Sequence, residues 1–214
     1  MVNNVIRLPI NPVTPESAVI AVAADAVRAG RIVAIPTDTL YGLAVDPFNI
    51  DAVARVYQLK GRGSDRALPL IAADVDQIVA TLGVLPMRAR LLAARFWPGP
   101  LTMLMPAPER LPAEVTGGTG RVGVRVPAHA VARALCAACG MPLTATSANR
   151  SGWPATNEPD AIVETLADGI DTLLDAGITP GGPPSTIVDV TDATPRVIRE
   201  GAISWESIQA CLGL

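Results

Sequence analysis

Four stretches of this 214-residue chain set polar side chains directly behind apolar runs, the placement that carries a group out of a strand and into a cleft. The first, PTDTLYG at 36–42, crowds hydroxyls, Thr37 among them, behind RIVAIP; they either meet a ligand or close a turn on their own backbone. The second, KGRGSDR at 60–66, holds three cations in seven residues. Gly61 and Gly63 let a ligand approach the backbone, while Lys60 offers a point charge and Arg62 a planar fork, both suited to phosphate oxygens. The same run also reads as a solvated basic turn; an exposed loop here predicts that Lys60→Ala leaves the fold intact. The third, TATSAN at 144–149, ends an apolar strand with Ser147 and Asn149 placed to contact phosphate or ribose. The fourth joins Ser185-Thr186, behind the glycine- and proline-rich ITPGGPPS, to Arg199-Glu200-Gly201 at the end of the following strand. Gly181-Gly182 would let that loop act as a lid. Arg125 stands apart, a charge inside the apolar VGVRVP that requires an anionic partner from protein or ligand.

Scarcity narrows the chemistry. Of the 17 basic side chains one is lysine, Lys60, and His129 is the sole histidine. A His-rich zinc cage is excluded, and any Ser-His-Asp relay would have to run through His129, which reads as an ordinary residue at a helix start. Leu59 precedes Lys60, so there is no Walker A Gly-Lys. A composition that otherwise uses arginine points to a requirement for a compact ammonium at position 60. GTGRVG at 118–123 spells G-x-G-x-x-G but leads into a strand, without the helix N-terminus that would hold a pyrophosphate. Cys136 and Cys139 match C-x-x-C inside an apolar helix with no second pair, and read with Cys211 as reduced structural thiols.

A net charge of −3 argues against sequence-independent binding of nucleic acid over a wide face. No run reaches the roughly 18 apolar residues of a membrane span. MVNNVIRLPINPVTPES lacks the apolar core of a signal peptide, so the sequence predicts a cytoplasmic protein with no membrane contact, and the sequon at Asn149 is discarded.

The elements that must position these groups alternate between strand and helix. Thr14-Pro15-Glu16 reads as the capped start of a helix running to Gly30, followed by a strand at 31–36 and a helix from Asn49 or Asp51 that delivers Lys60. ALPLIAA at 67–73 reads as a buried strand; Asp74 caps the next helix, MRARLLAARFW forms another, and WPGP stops it before the strand LTMLMPA. Strand 121–127, helix 129–139, strand 142–146, helix 158–168 and strand DTLLDA follow. STIVDV and PRVIRE pair across the turn TDAT, and Ser204 caps a terminal helix. The prediction is one α/β domain over 1–214, a twisted mixed sheet with helices on both faces and a concave ligand cleft.

At these residues the chain resembles the YrdC-like family of threonylcarbamoyl-AMP synthases. The likeness runs through PTDTLYGLAVDP at 36–47, LKGR at 59–62, WPGPLT at 97–102, VRVP at 124–127, TSANRSG at 146–152, STIVD at 185–189 and REG at 199–201, and so covers nearly the whole chain. The family's K-x-R and S-x-N signatures fall on Lys60/Arg62 and Ser147/Asn149. Gly63 departs from the family's usual proline, which bears on the stiffness of that loop. The resemblance is to the short form without an appended C-terminal domain.

It implies a nucleotidyltransferase that converts L-threonine, bicarbonate and ATP, with Mg²⁺, into L-threonylcarbamoyl-AMP and pyrophosphate for N6-threonylcarbamoyladenosine of tRNA. Lys60 and Arg62 become the catalytic pair. Ser64, Ser147, Asn149 and Arg199 join them in holding the nucleotide, while Thr37, Arg125, Ala145 and Ser185 hold threonine and no protein ligand is assigned to a metal. Tyr41 either lines the pocket or packs in the core. A carbamate attacking the α-phosphate needs cations and oriented donors, so the lack of histidine does not hinder it. Transient contact with tRNA or the threonylcarbamoyl-transfer machinery is expected. Two other readings remain: an RNA-binding or ribosome-maturation factor of the same fold, and a relative that adenylates a different carbamate.

Overall fold

The structure is a computed structural model that describes residues 5–192 and 194–214; residues 1–4 of the N-terminal stretch and Ala193 of the turn TDAT lie outside the described residues. The strands are β1 (Ile6–Pro9), β2 (Val33–Ile35), β3 (Gly42–Ala44), β4 (Leu70–Ile71), β5 (Leu101–Pro106), β6 (Arg121–Arg125), β7 (Leu143–Thr144), β8 (Thr146–Ser147), β9 (Thr172–Asp175), β10 (Thr186–Asp189) and β11 (Arg196–Arg199). The helices are α1 (Ser17–Arg28), α2 (Ile50–Lys60), α3 (Val75–Leu82), α4 (Met87–Phe96), α5 (Ala113–Thr116), α6 (Ala130–Cys139), α7 (Pro159–Leu166) and α8 (Trp205–Leu212).

The mixed α/β class is as expected, but the strands form two sheets instead of one, in the orders β1-β9-β2-β3-β8 and β11-β10-β5-β6-β4-β7. The division falls inside PLTAT. Thr144 pairs with Leu70 of β4, whereas Ser147 pairs with Gly42 of β3. Ala145 between them donates its N–H to the Pro69 carbonyl at 2.8 Å. A short apolar run carries no mark of which edge each half will join, so one predicted strand became two.

Helices cover both faces of the first sheet because its strands bury alternate residues on opposite sides. Val33 and Ile35 pack with α1 and α6, and Ala34 packs with α2; Leu174 and Leu173 of β9 divide the same way. The caps at Asn49, Asp74 and Ser204 form as expected, each side chain accepting from a backbone N–H three residues on. Helix α1 instead starts at Ser17, not near Thr14, because Asn11 Oδ1 accepts from the N–H groups of Val13 and Thr14 and holds that segment in a turn. The expected strand at 67–73 is ordered as a ladder only at Leu70–Ile71. Strands β10 and β11 are the expected antiparallel pair. Three elements had no counterpart in the sequence reading: β1, β3 and α5. Among the described residues no helix is long and apolar enough to cross a membrane.

Candidate active site

Both sheets and the loops that leave their strands wall a cavity of about 480 Å³, within the usual range of small-molecule sites. Gly42, Thr146 and Ser147 come from the first sheet, and Leu70, Ile71, Thr102, Arg125, Ile187 and Arg199 from the second. Seven of the ten predicted site residues line it: Thr37, Arg62, Arg125, Ala145, Ser147, Ser185 and Arg199. Lys60, Ser64 and Asn149 do not, and Ser64 is an exposed residue of the loop after α2.

Lys60 is not on an exposed loop. It is the last residue of α2 and only 3% exposed. Its ammonium donates to the carbonyl oxygens of Ser147 at 2.6 Å and Asn149 at 2.9 Å, and to Asn149 Oδ1 at 3.0 Å. Three donors are thereby matched to three acceptors, which arginine's planar fork would not do. The same Asn149 Oδ1 accepts from Ser147 Oγ at 2.6 Å. The K-x-R and S-x-N signatures are therefore in contact, with lysine holding the strand exit that carries Ser147. Burial and the neighbouring Arg62 charge lower the Lys60 pKa to about 8.

Arg62 faces the cavity with a different character. Gly61 ends α2 in the left-handed conformation and turns the chain so that Arg62 lies over the Tyr57 ring, 5.5 Å from its centroid. The Tyr57 hydroxyl lies 2.7 and 2.8 Å from the Arg66 and Glu114 carbonyl oxygens and anchors the loop. Nε and one Nη of Arg62 are buried without a hydrogen-bond partner among the described residues. Buried N–H groups of a guanidinium are costly to leave unmet, so this side chain is set for an anion that the protein does not supply. Burial also lowers its pKa.

Arg125 meets the demand made by its apolar strand through the protein itself. Its Nη2 pairs with Asp38, and its Nε donates to the Gly99 carbonyl at 2.9 Å. Gly99 belongs to the WPGP loop, which contains a cis peptide between Trp97 and Pro98, and a Cβ there would collide with the Phe96 carbonyl oxygen. Arg199 reaches across from β11, donating to the Ser185 carbonyl at 2.7 Å and to Ser185 Oγ at 3.2 Å. Burial and the Arg125 charge lower its pKa. Ser185 Oγ lies 2.9 Å from Thr102 Oγ1. Thr102, Thr39 and Asp38 escaped the sequence reading, although each stands in a quoted motif.

Thr37 closes its own turn, donating to the Leu40 carbonyl at 2.6 Å and accepting from the Thr39 N–H. Tyr41 both lines the cavity and packs in the core. Its hydroxyl donates to the Gly177 carbonyl at 2.7 Å and accepts from Ala176 N–H, and burial raises its pKa to about 12. His129 caps α6, Nδ1 accepting from Val131 N–H at 3.3 Å. Cys136 is fully buried. Among the described residues no Asp or Glu lines the cavity, and there is no cluster of three or more metal-ligating groups. The arrangement can bind a polyanion against Arg62 and Arg199 and a smaller group against Arg125 and Ser185.

A family model described as Telomere recombination, Sua5_yciO_yrdC, matches residues 25–201. A threonylcarbamoyl-AMP synthase of Pyrococcus abyssi is 38% identical over 91% of this chain and 57% of its own length; one of Bacillus subtilis is 40% identical over 91% and 56%. The chain thus spans somewhat over half the length of these two relatives. A protein of Mycobacterium tuberculosis named putative threonylcarbamoyl-AMP synthase is 38% identical over 90% of this chain and 88% of its own. The crystal structure of Pyrococcus abyssi Sua5 complexed with L-threonine superposes with a TM-score of 0.90 at 36% identity, covering 98% of this chain and 61% of the other. That of Escherichia coli YciO does so at 0.87 and 26% identity, covering 96% and 100%.

Proposed function

The chain belongs to the Sua5/YciO/YrdC family, and on that premise we propose that it is an L-threonylcarbamoyl-AMP synthase acting in tRNA modification. One observation carries the reading: Nε and one Nη of Arg62 are buried without a partner among the described residues, on a side chain that lines a cavity with Arg125 and Arg199. Arg62 and Arg199 hold the phosphates of ATP, and Ser147, held by the Lys60–Asn149 contacts, orients the nucleotide. Arg125 receives the carboxylate of threonine, with Thr102, Ser185 and the turn of Thr37 shaping the space around its side chain.

The amine of threonine attacks the carbon of bicarbonate, a C–O bond breaks and water leaves, giving a carbamate. A carbamate oxygen then attacks the α-phosphorus of ATP, and the bond to pyrophosphate breaks. Charge accumulates on phosphate oxygens in that step, where fixed guanidinium donors in a walled site stabilise it most. Mg²⁺ enters as part of the substrate, MgATP; with no carboxylate on the cavity wall, phosphates and water supply its ligands. The unstable adenylate passes in the cytoplasm to the machinery that transfers the threonylcarbamoyl group to tRNA. The alternative of an RNA-binding factor is less well served, because Arg62, Arg125 and Arg199 share one cavity and the chain as a whole carries a net charge of −3.

Pyrophosphate release from ATP, measured with threonine, with serine and without amino acid, each with and without bicarbonate, tests the proposal. Release that requires both threonine and bicarbonate supports it. Release indifferent to threonine overturns it.

A further inference from the structure

Two of the three arginines on the cavity wall are uncompensated. Arg62 and Arg199 form no ion pair among the described residues. Arg125 alone is neutralised, by Asp38, which lies on the loop between β2 and β3 where Thr37 and Thr39 line the cavity on either side of it. The pair is mostly buried, the side chains being 9% and 14% exposed. Its geometry uses one edge of the guanidinium, Nε toward Gly99 and Nη2 toward Asp38. Nη1 makes no hydrogen bond among the described residues.

Arg125 and Arg199 are also near enough for the charge of one to lower the pKa of the other. Without Asp38, the amino-acid end of the cavity would offer two adjoining cations, an attractive seat for phosphate. Phosphate and pyrophosphate carry two or more charges, a carboxylate one. We propose that Asp38 is a selectivity residue for the amino-acid end of the cavity: paired with Arg125, it leaves that guanidinium able to take a singly charged carboxylate and turns away multiply charged phosphate. The inference rests on the reading above, in which Arg125 receives the carboxylate of threonine. A fixed carboxylate beside the seat repels a phosphate dianion more strongly than a monoanion, while the free guanidinium edge keeps its fork for the carboxylate. The consequence for catalysis is that ATP and product pyrophosphate stay in the Arg62–Arg199 register and do not slide into the threonine seat.

The experiment is equilibrium binding of labelled L-threonine to the full chain, with inorganic phosphate or acetate as competitor, for the wild type and for Asp38→Asn and Asp38→Glu. Asparagine still accepts from Nη2, so the guanidinium keeps its contact while the charge is lost. The wild type and Asp38→Glu should bind threonine with acetate the better competitor. In Asp38→Asn, phosphate should compete at least about tenfold more strongly than in the wild type, because removing one like charge at contact is worth that much or more. Phosphate competing equally in the wild type and Asp38→Asn overturns the inference while leaving the threonine site intact. A wild type that binds no threonine overturns the underlying reading and the inference with it. Should Asp38→Asn not fold, the acetate-against-phosphate comparison in the wild type decides alone, phosphate competing as well as acetate being the adverse result.

Discussion

The Lys60 ammonium donates to the backbone oxygen of Ser147, 87 residues away in sequence, and so ties the end of α2 to the edge strand β8. The only lysine of the chain serves as a bracket for the site wall.

Replacing it should therefore disturb structure as well as activity. Lys60→Met leaves the Asn149 carbonyl without its donor and takes one donor each from the Ser147 carbonyl and Asn149 Oδ1, which keep the Asn149 N–H and the Ser147 hydroxyl. It should lower stability by about 1–3 kcal/mol, seen as a fall of several degrees in Tm, with turnover lost as Ser147 loosens. Lys60 also gives the protein a pH dependence. Its pKa falls from 10.5 to about 8 on folding, so between these values the unfolded chain binds more protons and the Lys60 contribution to stability grows as pH rises. That contribution is present above pH 10.5 and lost as pH falls through 8. Thermal melts from pH 7.5 to 10 should show wild type gaining on Lys60→Met, while wild-type turnover declines above pH 8, where the ammonium gives up a donor. A stability gap that does not vary with pH would count against the assignment.

Arg62 should behave in the opposite sense. Its buried N–H groups lack partners in the protein, so Arg62→Ala removes an unmet demand and should leave Tm unchanged or raised. Turnover should fall by about 10²–10³ in kcat/KM for ATP. Arg62→Lys should not restore it, since an ammonium cannot present the planar fork. Pyrophosphate release paired with a thermal melt checks both halves.

Ser185→Ala removes the hydroxyl partner of Thr102 at the amino-acid end of the cavity, while Arg199 on the phosphate side keeps its bond to the Ser185 backbone carbonyl. KM for threonine should rise about tenfold, the worth of one or two hydrogen bonds, with KM for ATP nearly unchanged. Steady-state kinetics with each substrate varied in turn distinguishes this from a general loss.

Tyr41→Phe leaves the Gly177 carbonyl and the Ala176 N–H without the hydroxyl. A loss of about 1–3 kcal/mol in denaturant unfolding is expected, with turnover per folded molecule retained because the hydroxyl is engaged by Gly177 and Ala176, neither of which lines the cavity. Loss of turnover without loss of stability would reassign Tyr41 to the substrate.

What was legible in the sequence follows from the range of the interactions. Asn49, Asp74 and Ser204 cap their helices through contacts three residues long, and such local chemistry can be read from the sequence. Arg62 between two glycines and Arg125 in an apolar strand were visible as charges out of place. Their surroundings were not: Asp38 meets Arg125 across 87 residues, and Lys60 meets Asn149 across 89. Lys60 read as exposed because a lysine at a helix end usually is; its burial depends on acceptors supplied by a distant strand. Strand β3, three buried residues, has no polar alternation to reveal it, and β1 is short and largely exposed on both faces.

The single residue Ala145 between β7 and β8 gives the cavity a mechanical meaning. Because the chain changes sheets there, whatever fills the cavity touches both sheets and acts as mortar between them. Ligand binding then adds cohesion across a joint that the backbone crosses three times, between β3 and β4, at Ala145, and between β9 and β10. At a hundred times its dissociation constant a ligand stabilises the folded state by about 2.7 kcal/mol, and here that gain is spent on the joint. Amide exchange at Gly42–Ala44 and at Leu70–Ile71, one segment from each sheet, should slow together when ATP and threonine are present.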